Sequence, residues 1–296
     1  MKLIDKEIKC DGRGDEFRLY PLGDIHMGAR NCAEKQLRKH VKIICEDRNA
    51  YWFGGGDLLE AIKPQDSKRF DMNILPDWML EGTADTIRGR LSDMLMQQVD
   101  RLCEILSPIR ERCLGLIEGN HEFSIRKYHN EDVQSMLCRR LRAVNLTDEA
   151  VMRLKFKRRV AGATVIVYAS HGFGGGRTAG SEPLKLQRMM DEWECADIAL
   201  RGHSHTFNVL PPKPVLYLPR TKSLPDELLI RYRWAGNWGC WKYSHSVGPS
   251  TYESRAAYPA RAMLTVRVDI KPFNNVSKGG KKIELGPHIE LRGITL

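Results

Sequence analysis

The sequence predicts an α/β fold, in which helices cover the faces of a sheet. Short apolar runs of strand length alternate with amphipathic segments over residues 17–208, and several of these runs end at a glycine. The chain has 296 residues, of which 42% are hydrophobic and 28% are charged, as is ordinary for a soluble globular protein with a substantial core. We expect one domain over 1–296, with a motif-bearing part at 17–208 and a basic, strand-rich part at 209–296.

The individual elements follow from the spacing of the apolar residues. Strands are predicted at 17–22, 50–53, 112–117, 151–160, 163–169 and 197–200, and helices at 33–48, 83–106, 131–144 and 183–194. The longest segment, 83–106, is amphipathic throughout, and as one helix it either covers the sheet or makes a homodimer contact. Beyond residue 208 further strands are predicted from the runs PVLYL, ELLIRYRW, AMLTVRV and KIEL.

Several classes of protein are excluded by composition. The longest apolar stretches, such as ATVIVYA at 163–169, have the length of a strand, so we expect no membrane-spanning segment. The first residues lack the apolar core of a secretion signal. The eight cysteines form no Cys-x-x-Cys pair, which argues against a zinc ribbon, a redox motif or a disulfide framework. We interpret them as free thiols in a reducing cytoplasm.

The charge is unevenly distributed. Residues 207–296 carry 14 Lys and Arg against 6 Asp and Glu, which is +8 of the total formal charge of +10. Such an excess favours a polyanionic partner such as nucleic acid, although it can also serve solubility alone.

Polar residues of only three types follow five of the predicted strands. The motifs GDIHMG, GGGDLLE, EGNHE, ASHG and RGHSH supply Asp24, His26, Asp57, Asn120, His121, His171, His203 and His205. Each alone would be a turn residue or a solvated histidine, but together they contain five of the nine histidines, each beside a glycine or an acid. Because loops that leave the carboxyl ends of strands converge on one edge of a sheet, the set predicts a metal site.

The number of candidate ligands predicts two ions rather than one. Seven residues exceed the needs of a four-coordinate site, whereas two ions about 3.5–4 Å apart that share one carboxylate would use them all. Asp57 is the natural bridge, because a carboxylate has two oxygens and Asp57 follows a central strand. Mixed imidazole and carboxylate ligands favour manganese, iron or zinc over magnesium or calcium, and we expect manganese. The net positive charge of such a pair would attract a phosphate group.

In these motifs the chain resembles the calcineurin-like metallophosphoesterases. Their pattern is Asp-x-His, Gly-Asp, Gly-Asn-His-Asp/Glu, a lone His and Gly-His-x-His, and residues 23–205 match every block in that order. The resemblance implies a four-layered α/β sandwich of two packed mixed sheets flanked by helices, with a dinuclear metal site at the strand carboxyl ends. It also implies a two-metal phosphoester hydrolase. One ion would be held by Asp24, His26, Asp57 and His205, and the other by Asp57, Asn120, His171 and His203.

The same resemblance assigns roles to residues that are not ligands. His121 would contact the phosphate and protonate the leaving group as general acid. Glu122 stands where many relatives have Asp, the residue that orients this histidine. Glu60 is either an acid at the start of a helix, the commoner case, or an outer carboxylate that holds a ligand histidine.

The sequence says less about the substrate than it says about the reaction. DIHMG and GGDLLE look most like the DNA-repair nuclease branch, which favours a phosphodiesterase or nuclease acting on nucleic acid. Trp238 and Trp241 near Arg231 and Arg233 suit stacking on unpaired bases, although packing of these rings between sheets is the commoner case. Arg177, in the glycine loop after His171, either clamps a phosphate or lies on a surface turn.

Two alternatives to a nuclease stay open. One is a hydrolase of a small phosphoester, such as a nucleotide, a cyclic nucleotide or a phosphoprotein. The other is a catalytically idle binding module that the metals stabilise.

Overall fold

The fold is known from a computed structural model that describes residues 1–66, 70–174, 180–217, 229–245, 264–278 and 281–295. Its strands are β1 (Lys2–Lys9), β2 (Phe17–Leu22), β3 (Ala50–Gly54), β4 (Cys113–Leu116), β5 (Glu149–Arg158), β6 (Ala161–Ser170), β7 (Ile198–Arg201), β8 (Phe207–Val209), β9 (Lys213–Tyr217), β10 (Leu229–Trp238), β11 (Leu264–Lys278) and β12 (Lys281–Thr295). Its α-helices are α1 (Glu34–Glu46), α2 (Asp77–Leu80), α3 (Ala84–Ser92), α4 (Met94–Leu106), α5 (Asn120–His129), α6 (Val133–Leu141) and α7 (Ser181–Glu192).

The strands form two mixed sheets. The larger has the order β1-β5-β6-β7-β10-β8, with β9 paired to β10, and the smaller has the order β12-β11-β2-β3-β4. In the larger sheet β1 pairs with β5, β6 with β7 and β7 with β10 in parallel, and in the smaller sheet β2 pairs with β3 and β3 with β4 in parallel. Antiparallel pairs, such as β5 with β6 and β11 with β2, complete them.

The two sheets face each other across a shared apolar core. Strand β2 shows how the sequence builds it, because successive side chains on a strand point to opposite faces. Phe17 and Leu19 lie in the core between the sheets, whereas Tyr20 and Leu22 face the helices on the outer side of the smaller sheet.

Helices cover the outer face of each sheet. Residues of α1, α4 and α6 pack on the outer face of the smaller sheet. On the larger sheet, Leu186 and Met190 of α7 contact Ala199 of β7 and Ala235 of β10. The predicted four-layered sandwich of two mixed sheets is therefore confirmed.

Some predicted elements differ in detail. The single helix predicted at 83–106 is two helices, because the backbone leaves the helical conformation at Asp93, where φ is −117° and ψ is 31°. Only α4 buries apolar residues against the sheet, while α3 buries none. The apolar pattern did not predict β1, whose side chains are mostly exposed, or α5, which begins at Asn120 directly after a strand.

Among the described residues, no helix combines the length and the apolar character needed to cross a lipid bilayer. All eight cysteines are free thiols.

Both sheets direct loops towards the same place. The loops that follow β2 and β3 pair through backbone hydrogen bonds, such as that from Asp24 N to Gly56 O at 2.9 Å. In the larger sheet, Gly202 N donates to His171 O at 3.2 Å and joins the loops that follow β6 and β7. We call residues 23–26, 55–57, 119–121, 171 and 202–205 the ligand loops.

Candidate metal centre

The ligand loops bring all seven predicted metal ligands together. Six of them fall into two groups that share Asp57, and within each group the ligand atoms lie within 4.8 Å of one another. The first group is Asp24, His26, Asp57 and His205, and the second is Asp57, His171 and His203. Asn120 adjoins the second group, because its Oδ1 lies 3.1 Å from His171 Nε2.

Asp57 is the residue common to both groups. Its Oδ2 lies 3.9 Å from Nε2 of His26 and 3.3 Å from Nε2 of His171. Its Oδ1 accepts a hydrogen bond from the backbone N–H of His121 at 2.9 Å. One oxygen of a single carboxylate thus faces both sets of imidazoles, while the other oxygen is held by the backbone.

Asp24 is oriented by two donors from the larger sheet. Both of its oxygens lie 3.1 Å from the backbone N–H of His203, and Oδ2 also accepts a hydrogen bond from Trp238 Nε1 at 2.7 Å. Its Oδ1 lies 3.4 Å from His205 Nε2.

The backbone of the ligand loops is strained. Among the described residues, ten non-glycine residues have a positive φ, and five of them are candidate ligands with φ between 48° and 70°: Asp24, His26, Asp57, His203 and His205. A residue with a side chain in this region costs about 1–3 kcal/mol, and such residues cluster at functional sites. Strain of this kind persists only where the surrounding structure enforces it.

Burial and charge oppose each other within the site. Burial raises the pKa of the Asp24 carboxyl to about 7. Burial alone would lower the pKa of His171, but the Asp57 carboxylate beside it raises that pKa to about 10. Burial, with the neighbouring His171, lowers the pKa of His203 to about 4. Buried carboxylates beside imidazoles provide the negative charge and lone pairs that a cation needs.

The residues fit divalent transition ions. Nδ1 of His203 is buried and has no hydrogen-bond partner among the described residues, so a nitrogen of this candidate ligand is left unsatisfied. The Nε2 atoms of His26 and His205 lie 2.9 Å from each other, so both imidazoles direct a nitrogen to the same point. Imidazole nitrogens mixed with carboxylate oxygens suit manganese, iron or zinc. Bound ions would supply Lewis-acid chemistry to a phosphoryl oxygen and to water.

Glu60 and Lys242 form a buried ion pair next to His26, outside the group of candidate ligands to which His26 belongs. Glu60 Oε2 lies 2.9 Å from His26 Nδ1 and 3.3 Å from Lys242 Nζ. Burial alone would raise the pKa of Glu60, but the Lys242 ammonium holds it well below its ordinary value. Glu60 lies outside any helix, so the expectation of a helix-start acid is wrong, and its carboxylate instead holds a ligand histidine.

His121 stands beside this pair. Its Nδ1 contacts the backbone carbonyl of Glu60, and its ring meets the His26 ring edge to face at 4.7 Å. Burial alone would lower the pKa of His121, but the carboxylates of Asp57 and Glu60 raise it above its ordinary value. An imidazole with a raised pKa, next to the candidate ligands, suits a general acid.

The role predicted for Glu122 is wrong. Its buried carboxylate accepts hydrogen bonds from the backbone N–H groups of Asp57 at 3.0 Å, Leu59 at 2.9 Å and Gly119 at 3.0 Å. Both oxygens are occupied by the backbone, so Glu122 shapes two ligand loops and does not orient the His121 ring. The carbonyl of Glu60 contacts that ring instead.

The two tryptophans predicted to contact substrate are buried. Trp238 and Trp241 are each 1% exposed. Trp238 lies in the core between the sheets, and Trp241 lies in the core beneath the helices of the smaller sheet. Neither ring can stack on a base, so this prediction is wrong.

The predicted arginines separate into three cases. Arg233 is 3% exposed and donates to backbone carbonyls of Met190, Trp193 and Ala196, so its predicted role in substrate binding is wrong. Arg231 is at the surface, where its Nη1 lies 3.3 Å from Asp197 Oδ1. Arg177 lies outside the described residues.

Sequence reasoning missed two residues that support the ligands, Lys242 and Trp238. The sequence pattern places Trp238 on a basic and aromatic surface with its neighbours in the chain, and it assigns Lys242 no role beyond the basic charge of residues 207–296. No local signal distinguishes them, because their partners Glu60 and Asp24 lie 182 and 214 residues away.

Of the comparisons with known proteins, only that with solved structures finds similar proteins. No protein-family model matches the chain, and no curated protein matches it. Among solved structures, a predicted phosphoesterase from Streptococcus pneumoniae is 14% identical, with 92% of this chain and 98% of that chain covered and a TM-score of 0.34. GAP50, the anchor in the inner membrane complex of Plasmodium, is 11% identical, with 92% and 89% covered and a TM-score of 0.43.

A protein serine/threonine phosphatase from Saccharomyces cerevisiae is 10% identical, with 96% of this chain and 82% of that chain covered and a TM-score of 0.34. At these identities and TM-scores, the likenesses carry no conclusion about what this chain does. A conclusion about function must therefore rest on the residues of this chain.

Proposed function

We propose that the chain is a metallophosphoesterase, a phosphoester hydrolase that depends on two divalent transition ions. The observation that carries this proposal is the position of Asp57, whose Oδ2 faces His26 of one donor group and His171 of the other. One carboxylate between two sets of donors is the geometry that a pair of ions requires, and paired ions serve in-line displacement at phosphorus.

The residues around the pair suit phosphate chemistry. Helix α5 begins at Asn120, so its positive N-terminal end lies at the site, where a phosphate oxygen is favoured. His121, the second residue of that helix, stands where it can protonate a leaving oxygen.

Within this class, we propose a phosphodiester of nucleic acid as the substrate. The charge of +8 on residues 207–296 supports a polyanion. Two exposed rings also support it: Phe123, 43% exposed, follows Asn120 by three residues, and Phe173, 91% exposed, follows His171 by two. The Arg126 guanidinium lies 5.2 Å from the Phe123 ring, and aromatic rings next to cations are typical of surfaces that stack unpaired bases.

The first experiment tests the reaction. Protein stripped of metal and reloaded with manganese would be assayed against bis-nitrophenyl phosphate, nitrophenyl phosphate, nucleotides, and single- and double-stranded DNA. We expect two manganese ions per chain and metal-dependent cleavage of the diester and of DNA. One tightly bound ion at saturation, or no metal-dependent hydrolysis, contradicts the proposal. Cleavage of nucleotides with no effect on polymers favours a small substrate instead.

The second experiment tests the substrate. Affinity for single-stranded DNA should fall linearly with salt on a log–log plot, with a slope of about −0.7 per phosphate neutralised. Phe123→Ala and Phe173→Ala should each cost about 1–3 kcal/mol of binding per stacked base without a change of slope. Tyr128→Ala, which removes an exposed ring from the far end of α5, is the matched control and should bind as the wild type does.

A further inference from the structure

Trp238 occupies an unusual position for a residue that supplies no ligand. It ends β10, which lies between β7 and β8 in the larger sheet. Its ring is buried and meets Phe53 of the smaller sheet edge to face at 5.9 Å. The indole therefore spans the interior between the two sheets, directly below the edge where the ligand loops converge.

Three glycines of the ligand loops lie against this indole. A Cβ atom at Gly23 would lie 2.4 Å from Nε1, one at Gly55 would lie 2.5 Å from Cζ2, and one at Gly202 would lie 2.4 Å from Cε2 or Cζ2. No side chain tolerates such distances. Gly23 and Gly202 directly precede two candidate ligands, and Gly55 is two residues before a third. The ring fills the space that a side chain would need at all three positions, and the backbones of Gly23 and Gly55 also lie against each other.

The indole also holds one of the ligands. Nε1 donates to Asp24 Oδ2 at 2.7 Å, with both groups buried. The other oxygen of this carboxylate, Oδ1, lies 3.4 Å from His205 Nε2, on the side of the metal group. A neutral donor on one oxygen fixes the rotation of the carboxylate and leaves its charge available. Removal of a partner of this kind typically lowers the affinity of a metal site by about 10–100-fold.

We propose that Trp238 is a positioning residue of the metal centre: its N–H fixes Asp24, and its ring sets the spacing of three ligand loops. Asp24 belongs to the group with His26, Asp57 and His205, so loss of the N–H acts first on that group. A residue that only filled space would act on both groups through the fold.

The test rests on the proposed function, since it measures metal binding, but it requires no substrate. Trp238→Phe removes the N–H and keeps an aromatic ring. Trp52→Phe is the matched control, because Trp52 is equally buried and its Nε1 donates to the Ile109 carbonyl, also at 2.7 Å, away from any ligand. Each metal-free protein would be titrated with manganese, and free manganese would be followed by electron paramagnetic resonance.

We expect two sites in the wild type and in Trp52→Phe. In Trp238→Phe, one site should weaken by about 10–100-fold while the other stays close to the wild type. Equal affinities in all three proteins overturn the inference and leave the proposed function intact. A wild type that binds no manganese overturns both.

A second measurement needs no folded variant at position 238. In wild-type protein labelled with ¹⁵N, the Trp238 indole N–H resonance, assigned by elimination with Phe variants of the other tryptophans, should shift when zinc binds, and that of Trp52 should not. An unshifted Trp238 resonance in protein that binds two zinc ions overturns the inference.

Discussion

The ligand loops and residues 229–245, here called the supporting segment, meet at the same centre, yet their backbones differ. Five residues of the ligand loops have φ between 48° and 70°. In the supporting segment, whose residues are all described, Gly239 is the single residue with a positive φ. Of these two regions, only the ligand loops hold non-glycine residues with a positive φ, and all five of those residues are candidate ligands.

The supporting segment holds the loops through side chains aimed at them. Trp238 donates to Asp24, Asn237 Nδ2 donates to Ser204 Oγ at 2.8 Å, and Lys242 pairs with Glu60. The strained loops hold the candidate ligands, and a segment later in the chain, without strain at its non-glycine residues, contacts them from outside. Substitutions in the two regions should therefore fail in different ways.

Asp57→Asn gives the largest expected effect, in the ligand loops. The amide keeps the shape of the side chain but removes the charge that faces both donor groups, so both metals should be lost and hydrolysis should fall to the level of the metal-free protein. Elemental analysis and turnover of bis-nitrophenyl phosphate measure this. Asp5→Asn, at an exposed carboxylate, is the control and should retain both ions. A variant that keeps two tightly bound ions would show that Asp57 is not the bridge.

His121→Ala should separate proton transfer from metal binding. It should retain two ions and lose turnover by about two to four orders of magnitude, the usual effect of removing a positioned proton donor. The loss should shrink for nitrophenolate leaving groups, which need little protonation. Loss of metal together with activity would make His121 a ligand rather than an acid.

Lys242→Met tests the supporting segment at its buried charge. Without the ammonium the Glu60 carboxylate is left uncompensated, so the His26 group should bind manganese about 10–100-fold more weakly. Lys213→Met, at an exposed lysine of β9, should bind as the wild type does. The double variant with Glu60→Gln should recover part of the lost unfolding free energy, because no unpaired charge remains buried. Unchanged affinity in Lys242→Met would contradict the role assigned to the pair.

His40→Leu gives the smallest expected effect and concerns the core around the supporting segment. His40 is buried between the rings of Tyr20 and Trp241, at 5.1 Å and 5.3 Å, and in the part of the chain that the structure describes neither of its ring nitrogens has a hydrogen-bond partner. Burial lowers its pKa to about 4. The unfolded chain therefore binds the extra proton between pH 6.5 and 4, and stability falls as the pH falls through that window.

The measurement is the free energy of unfolding at two pH values. From pH 7 to pH 5, His40 should cost the wild type about 2 kcal/mol, and His40→Leu should lack this part of the acid sensitivity. His288→Leu, at an exposed histidine, should keep the full sensitivity of the wild type. Equal acid sensitivity in His40→Leu and the wild type would show that His40 is not buried as a neutral ring.

The sequence by itself determined the fold class and the chemistry of the ligand loops. Both are written locally: strand-length apolar runs specify the sheets, and Asp, Asn or His beside glycine after each strand specifies donors at one edge. The structure places Asp57 in both groups of candidate ligands, as the resemblance to the metallophosphoesterase motifs implies. The break at Asp93 was beyond this reasoning, because apolar spacing continues across it while the backbone does not.

Only the tertiary structure decided the roles of Trp238, Lys242, Glu60 and Glu122. A tryptophan beside arginines has the same composition on a binding surface and in a core, and burial depends on what the rest of the chain places above it. Trp238 meets Asp24 across 214 residues, and Lys242 meets Glu60 across 182. Contacts of that range form only when the sheets pack, so no short pattern encodes them, although they hold the residues that a short pattern does reveal.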